Sequence, residues 1–235
     1  MAVESLLRPP IGFAHRGARA HVAENTVDAF RLALRLGATG LESDVWITAD
    51  GVPVLDHDGV VRSGIRKRRF GSMRRDDLPG HVLTLQALYA ACGTDFELSL
   101  DVKDPNAAAS VVAAARDVGA ESRLWLCAPD WRTAAGWREL SPTARLVDST
   151  RRRLMKEGVE RRAATLADAG VDAVNLHHTD WTTGFVTLFH RFEVLALAWD
   201  CQHPHVLLDV LGMGIDAVYS DHVDRMVEAL DKASR

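Results

Sequence analysis

Short apolar runs alternate with longer amphipathic stretches along the chain, and this alternation predicts strands and helices in turn. The candidate strands are IGFAH (11–15), TGLESDVW (39–46), FELSLDV (96–102), RLWLC (123–127), ARLVD (144–148), DAVNLH (172–177), EVLALAW (193–199) and DAVYSD (216–221). Helical patterns lie between them, at 26–36, 106–118, 130–139, 155–169, 182–191, 203–211 and 222–232. Repeated strand–helix units are typical of parallel sheets with crossover helices.

Eight candidate strands in 235 residues match an α/β fold of the (β/α)8 TIM-barrel type in number and length. A doubly wound open sheet is the alternative. That fold usually binds its ligand at a glycine-rich first turn, and the sequence after the first strand, HRGARAHVAEN, contains no GxGxxG. We therefore predict a closed barrel.

One unit departs from the regular alternation. The second strand runs into ADG, a turn signal, and then into VPVLDHD, so we predict a hairpin with an extra strand outside the count of eight. A segment rich in glycine and arginine, 59–83, follows as an insertion. Nothing else in the chain has the composition of a linker, so the sequence predicts a single domain over 1–235.

Charge and cysteine usage exclude several classes of protein. The net charge of −4 argues against a general nucleic-acid binder, which is usually basic. Cys92, Cys127 and Cys201 are widely spaced and odd in number, as in a protein of a reducing compartment. The N-terminal segment lacks the apolar core of a secretion signal, and no run approaches the roughly 18 apolar residues of a membrane span. We expect a cytoplasmic protein without integral membrane association.

Chemically active side chains stand where the predicted strands end, which is where active sites of such barrels gather. These residues are His15, Arg16, Glu42, Asp44, His57, Asp101 and Lys103.

The spacing of these residues indicates a metal-assisted reaction on a phosphate ester. Glu42 and Asp44 are two positions apart and point to one face of their strand. Together with Asp101 they form a set of oxygen ligands suited to a hard cation such as Mg²⁺ or Ca²⁺. The two histidines can act as general acid and base, while arginine and lysine can bind phosphate oxygens. Each residue alone has an ordinary structural explanation, but their joint occurrence favours a site.

The order of these motifs also resembles a known family. HRGARAHVAENTVDAF, GLESDVWITADGVPVLDHD and LSLDVKD are similar to the signature of the glycerophosphodiester phosphodiesterases, and ALAWDCQ and GIDAVYSDHVDRM resemble its C-terminal motifs. The likeness covers nearly the whole chain and is strongest over 13–58.

The resemblance implies a TIM barrel with a small insertion over its active site. It also implies hydrolysis of glycerophosphodiesters to glycerol 3-phosphate and an alcohol with a divalent cation. The implied roles are acid–base catalysis for His15 and His57, metal ligation for Glu42 and Asp44 with Asp101 as the third carboxylate, phosphate binding for Arg16, and orientation of the first loop for Glu24. Trp199, at a strand end, is expected to wall the substrate pocket beside Arg16 and Lys103.

The chain departs from the family pattern at several positions. Asp101 replaces a usual glutamate, and Asp200 follows Trp199 where threonine is usual. Adjacent strand residues point to opposite sides, so we expect at most one of the pair His177–His178 to face the centre. The insertion carries Arg62, Arg66, Lys67, Arg68, Arg69, Arg74 and Arg75 before its first acid. These cations are either a solvated surface or a collar that steers anionic substrates or contacts anionic lipid head groups.

Other functions stay open at this point. A catalytically weak barrel could bind phosphodiesters without turnover. A phospholipase D-like relative would form cyclic phosphates, although such relatives are typically secreted and carry disulfides. A metal amidohydrolase would need HxH on the first strand, which offers only His15 followed by Arg16.

Overall fold

The computed structural model describes residues 3–63 and 66–234, so Gly64 and Ile65 of the predicted insertion lie outside it. The described strands are β1 (Ile11–His15), β2 (Gly40–Ile47), β3 (Pro53–Leu55), β4 (Val60–Ser63), β5 (Arg66–Arg69), β6 (Leu83–Thr84), β7 (Glu97–Val102), β8 (Leu124–Ala128), β9 (Arg145–Ser149), β10 (Ala173–His177), β11 (Leu195–Trp199) and β12 (Ala217–Ser220). The α-helices are α1 (Val27–Arg35), α2 (Leu85–Cys92), α3 (Ala107–Asp117), α4 (Trp131–Gly136), α5 (Val159–Asp168), α6 (Thr183–Arg191), α7 (Pro204–Gly212) and α8 (Val223–Ala233).

Eight parallel strands close into a barrel. Their order is β1-β12-β11-β10-β9-β8-β7-β2, and β1 also pairs with β2, which completes the ring. The predicted (β/α)8 barrel is therefore confirmed, with one helix after each barrel strand. The predicted helices omit α2, a short helix of mainly apolar residues whose first turn is capped by the Thr84 hydroxyl.

Large side chains fill the barrel interior. Phe13 stacks on Tyr219 with ring centroids 4.8 Å apart and meets the edge of Trp125 at 5.6 Å. Gly40 leaves room for this packing, because a Cβ at that position would lie 2.5 Å from the Phe13 ring. A larger apolar layer lies between the strands and the surrounding helices. The barrel is thus a packed core whose open end is its C-terminal mouth.

The predicted hairpin returns the chain toward the end of β1. Val45 pairs with Leu55 of β3 and with Val102 of β7, so β3 and β7 lie on opposite edges of β2. Toward the N-terminal part of β2, β1 pairs along the same edge as β3. The last residue of β1, His15, pairs there with Glu42. The chain leaving β3 therefore runs back toward the barrel mouth.

The insertion carries a hairpin of its own, formed by antiparallel β4 and β5, and a small apolar core. This core is formed by Val54 of β3 together with Phe70, Met73, Leu78 and Val82 of the insertion. Phe70 is buried, so this aromatic ring packs inside the insertion and is not displayed at its surface. Among the described helices, none has both the length and the hydropathy that a membrane crossing requires.

Candidate active site

A cavity of about 450 Å³ opens at the C-terminal mouth of the barrel. It collects almost every residue that the sequence singled out. The predicted residues in its wall are His15, Arg16, Glu42, Asp44, Asp101, Lys103 and Trp199. His57 and Glu24, to which the sequence also gave roles, do not line it.

The loop after β1 is held in an unusual backbone conformation. Arg16 and Asn25 both have positive φ, at 53° and 55°, which few residues other than glycine adopt. The Arg16 amide donates to Glu42 at 3.0 Å, and the Asn25 amide donates to the Arg16 carbonyl at 3.1 Å. The buried Ser43 hydroxyl donates to the Asn25 side chain at 2.8 Å. These bonds hold the loop in its strained conformation, as is common at functional sites.

His15 is held by two carboxylates from different strand ends. Its Nδ1 lies 2.7 Å from Asp221 Oδ1, and its Nε2 lies 3.7 Å from Glu42 Oε2. Burial lowers the pKa of His15, but attraction to Glu42 and the hydrogen bond to Asp221 outweigh it and raise the pKa above its usual value. The sequence assigned no role to Asp221. Its position directly after β12, which neighbours β1, was the signal that could have identified it.

Three carboxylates face the cavity beside His15. Glu42 and Asp44 are only 6% and 3% exposed. Burial raises the pKa of Glu42 to about 7; the charge on His15 opposes this shift, whereas the charges on Asp44 and Asp101 reinforce it. Among the residues that the structure describes, Asp44 Oδ2 is a buried oxygen without a hydrogen bond, although Arg16 Nε lies 3.1 Å away. A divalent cation would relieve both the repulsion and the unsatisfied oxygen, so this all-oxygen donor set fits Mg²⁺ or Ca²⁺.

Lys103 supplies the neutralising charge in this structure. Its Nζ lies 2.9 Å from Asp44 Oδ1 and also contacts Asp101. Burial lowers the pKa of Lys103, but attraction to Asp101 and Asp44 outweighs burial and raises the pKa above its usual value. The amine therefore stays charged. Lys103 must therefore move aside if Asp44 and Asp101 are to share a metal ion, and metal ligation by these residues stays a prediction.

His57 lies on a tightly held turn at the rim. Asp56 Oδ1 accepts the amides of Asp58 and Gly59 at 2.8 and 2.7 Å, and the Asp56 carbonyl accepts the Trp46 indole N–H at 2.9 Å. Gly59 has φ of +64°, and a Cβ there would lie 2.3 Å from the Trp46 ring. The His57 side chain is 48% exposed, and its Nδ1 is 2.9 Å from Asp58 Oδ1. The turn thus presents the imidazole to solvent beside the mouth.

The opposite wall of the cavity is aromatic and charged. Trp199 ends β11, and its ring meets the edge of the His177 ring at 4.5 Å. The Arg151 guanidinium lies 5.6 Å from the Trp199 ring centre and donates to Asp180 at 2.6 Å. Asp200, next in the chain, has φ of +64° and also lines the cavity. Trp199 therefore lies in the wall of the cavity, where the sequence predicted it.

Strand alternation predicts that His177 and His178 point to opposite sides, but the structure places their rings side by side. Their rings stack with centroids 4.4 Å apart. The reason is that β10 ends at His177 and a 3₁₀ turn begins at His178, so the two-residue period no longer applies. The pKa of His178 is lowered by burial and by the neighbouring His177 charge.

The cavity floor is polar, which sequence reasoning missed. Ser99 Oγ lies 3.0 Å from the Tyr219 hydroxyl and 3.4 Å from Cys127 Sγ. Asn175 lines the same cavity, and its buried Oδ1 lacks a hydrogen bond within the described structure. Ser99 and Asn175 belong to predicted strands. The apolar pattern of those strands does not indicate that one polar residue in each lines the cavity.

The model of the glycerophosphoryl diester phosphodiesterase family matches residues 15–88. The matched segment contains His15, Arg16, Glu42, Asp44 and His57. The resemblance to this family is confirmed. Its sequence signature covers the N-terminal strands and the hairpin, while the C-terminal half of the barrel lies outside the matched segment.

Relatives that carry this family name match a short segment in sequence, whereas solved structures match most of the chain in fold. Rat glycerophosphodiester phosphodiesterase 1 is 54% identical over 48 residues, which are 20% of this chain and 14% of the rat protein. The chain thus matches about a seventh of the length of that relative. A glycerophosphodiester phosphodiesterase from Thermotoga maritima has a TM-score of 0.79 at 20% identity, over 93% of this chain and 97% of that one.

A second solved structure is an Oleispira antarctica phosphodiesterase in complex with the product sn-glycerol-3-phosphate. It has a TM-score of 0.81 at 19% identity and covers 94% of this chain and 97% of that one. At such identities, both solved structures show that the fold is shared.

Proposed function

We propose that the chain hydrolyses glycerophosphodiesters to glycerol 3-phosphate and an alcohol, with a divalent cation. The observation that carries the proposal is the meeting of His15, Arg16, Glu42 and Asp44 in one cavity at the barrel mouth. All four lie in the segment that matches the phosphodiesterase family. The Oleispira protein, which shares the fold, was solved with glycerol 3-phosphate as its product, and this supports the same product here.

The cations of the cavity bind the phosphodiester group. Arg16 is 12% exposed and is held by Glu24 at 3.1 Å, so its guanidinium is already oriented before substrate arrives. Lys103 leaves its carboxylate partners for a phosphate oxygen when the substrate enters. A divalent cation held by Glu42, Asp44 and Asp101 would supply Lewis-acid polarisation of a phosphoryl oxygen.

Two imidazoles move the protons. His15 is oriented by Asp221 at 2.7 Å, which fixes the tautomer in which Nδ1 carries the proton and Nε2 faces the cavity side of the ring. His57 stands on the rigid turn above the end of β1 and is open to solvent. We assign one of the pair to deprotonation of the attacking oxygen and the other to protonation of the leaving alcohol.

The proposal also includes a cellular location, which the state of the cysteines supports. All three cysteines are free thiols, and burial raises the pKa of Cys127 and Cys201, so these thiols are unreactive packing residues. Free thiols without a disulfide framework support a cytoplasmic location. We propose a single catalytic domain over 1–235 that acts on a small diester without nucleic acid.

Phosphorus NMR on a panel of glycerophosphodiesters tests the activity. Glycerophosphocholine, glycerophosphoethanolamine and glycerophosphoglycerol are each incubated with the chain in Mg²⁺, in Ca²⁺ or in EDTA. We expect a monoester resonance of glycerol 3-phosphate with metal and none with EDTA. A cyclic phosphate resonance would instead identify a phospholipase D-like reaction, and an unchanged spectrum in all samples would show that none of these diesters is turned over.

A further inference from the structure

His177, His178 and Asp200 form a compact group at the barrel mouth. Each offers one potential ligand atom, and these atoms all lie within 4.8 Å of one another. Over residues 3–63 and 66–234, no other group of three or more His, Cys, Asp or Glu residues meets this spacing. Ligand atoms of a tetrahedral ion with bonds of about 2.0–2.1 Å are about 3.3–3.4 Å apart. Small side-chain rotations are therefore enough to close the group around one ion.

The backbone brings these three side chains together. β10 and β11 are parallel neighbours in a register that pairs His177 with Trp199. The 3₁₀ turn after β10 keeps the ring of His178 stacked on that of His177. Asp200 takes a left-handed conformation directly after β11, and its Oδ2 lies 3.2 Å from His177 Nε2. A strained non-glycine residue held in this way is a feature of functional sites.

The group is separate from the three carboxylates of the proposed catalytic centre. Around the closed ring, β10 and β2 are separated by three strands on either side, so they stand on opposite walls of the barrel. Glu42 and Asp44 lie on β2, whereas the histidines lie at the end of β10. One ion therefore does not serve both groups.

We propose that His177, His178 and Asp200 bind a transition-metal ion of the Zn²⁺ class at the rim of the cavity. Two imidazoles and one carboxylate suit Zn²⁺, Co²⁺ or Ni²⁺ and not the hard ions that all-oxygen sites prefer. His177 Nδ1 accepts the Thr179 amide at 3.2 Å and also lies 2.8 Å from the Thr179 hydroxyl, so this turn fixes the ring with its Nε2 toward Asp200.

The bound ion has a consequence for the entrance of the cavity. Asp200 lines the cavity and is 47% exposed at its side chain, so its negative charge faces entering molecules. A divalent ion on Asp200 would offset this charge and favour the approach of an anionic diester. This consequence rests on the proposed function, whereas the metal site itself does not.

Cobalt titration of the full chain tests the site without reference to activity. Co²⁺ is added in the presence of millimolar Mg²⁺, which occupies the carboxylate centre, and visible absorption reports nitrogen ligands. We expect one equivalent of Co²⁺ to bind. Asp200→Asn and His178→Gln should each weaken its affinity about tenfold or more, the size of effect seen when metal sites lose a supporting group. Asparagine tolerates the left-handed backbone at position 200, so that variant keeps the turn.

Two controls separate this site from its neighbours. His205→Gln removes an exposed histidine outside the group and should leave Co²⁺ affinity unchanged. Asp44→Asn alters the carboxylate centre and should also leave it unchanged. Parental affinity in both Asp200→Asn and His178→Gln would overturn the proposal, as would loss of the bound Co²⁺ in Asp44→Asn. If one site variant does not fold, as judged by circular dichroism, the other decides the outcome.

Discussion

His15 Nδ1 and Asp221 Oδ1 lie 2.7 Å apart although 206 positions separate the two residues in the chain. The contact exists because β1 pairs with β12, so the first and last strands of the barrel end side by side. Burial opposes ionisation of Asp221, but the hydrogen bond and charge of His15, helped by Arg19, hold its pKa below the usual value. The carboxylate is therefore ionised and orients the imidazole across the closing seam of the fold.

Asp221→Asn should lower kcat by less than His15→Ala, for which we expect a loss of about 10²- to 10⁴-fold, the usual contribution of general acid–base catalysis. Asp221 raises the pKa of His15 through its hydrogen bond and its charge, so the variant should lower that pKa. The limb of the pH–kcat profile that reports His15 should move to lower pH. NMR titration of the His15 ring measures the shift directly.

Asp224→Asn is the matched control for this prediction. Asp224 Oδ1 faces His21 Nε2 at 3.2 Å, and both side chains lie at the surface. This variant removes an aspartate–histidine contact outside the cavity and should leave kcat at the parental level. If Asp221→Asn keeps the parental kcat and the parental titration of His15, Asp221 has no positioning role.

Gly59→Ala should destabilise the chain and also reduce kcat. Its backbone has φ of +64°, so a Cβ costs about 1–2 kcal/mol in a left-handed conformation. The same Cβ would lie 2.3 Å from the Trp46 ring, and such overpacking costs about 1–3 kcal/mol more. Relief of the clash should displace the turn that carries His57.

Gly51→Ala separates the two effects of that substitution. Gly51 also has positive φ, at 81°, but a Cβ there would meet nothing within 4 Å. Denaturant unfolding should therefore show a smaller loss of stability for Gly51→Ala, with kcat unchanged. Equal losses of stability in the two variants, or a parental kcat in Gly59→Ala, would contradict the role given to the Trp46 contact.

The sequence predicted one side of the site because its signals are local. Glu42 and Asp44 share a face through the two-residue period of a strand, and their placement at the mouth follows from the barrel rule. His15 and Arg16 were found in the same way, since they end an apolar run. The motifs over 13–58 are contiguous enough to be read without knowledge of the fold.

The parts that were missed depend on contacts between distant segments or on where a strand stops. Asp221 joins the site only when β12 closes against β1. His177 and His178 were treated as alternating strand residues, although the predicted strand 172–177 already ends at His177, and a 3₁₀ turn begins at His178. Lys103 was expected at the phosphate, and only the three-dimensional structure reveals its contact with Asp44.

Asp44→Asn should abolish binding of the divalent ion at the carboxylate centre, because it removes one of three charged oxygen ligands. Isothermal calorimetry with Mg²⁺ or Ca²⁺ measures the loss, and a structure with the ion should show oxygen–metal distances of about 2.0–2.6 Å. EDTA should lower the activity of the parent to that of the variant.

Lys103→Gln tests whether the Lys103 amine competes with the ion for the carboxylate oxygens. Its amine competes for Asp44 and Asp101 in this structure, so its removal should leave ion affinity equal to or above that of the parent. The substitution also removes one positive charge from the cavity, which favours cation binding in the same direction. Undiminished affinity in Asp44→Asn would show that the ligand set is wrong.

The basic hairpin, β4 and β5, begins beside the turn that carries His57, since the Phe70 amide donates to the Gly59 carbonyl at 3.0 Å. Arg66, Lys67 and Arg68 are exposed along β5. Arg75 is different, because it donates to the Val82 carbonyl at 3.1 Å and belongs to the framework of the insertion. A test of charge should therefore change the exposed strand and spare Arg75.

Replacement of Arg66, Lys67 and Arg68 by glutamine should raise KM for an anionic diester and leave kcat nearly unchanged, because these charges act on encounter and not on chemistry. The kcat/KM of the parent should fall as salt is raised, since exposed charges are screened beyond about 8–10 Å near physiological ionic strength. The variant should be less sensitive to salt.

A second triple variant provides the control for net charge. Arg35, Arg191 and Lys232 lie in the last turns of α1, α6 and α8, which run back to the end of the barrel opposite the mouth. Their replacement by glutamine makes the same change in charge, and KM should stay at the parental value. Parallel salt curves for the parent and the β5 variant would show instead that the hairpin is a solvated surface. Sedimentation with anionic liposomes should detect no binding, because Phe70, which could have served as an apolar anchor, is buried in the core of the insertion.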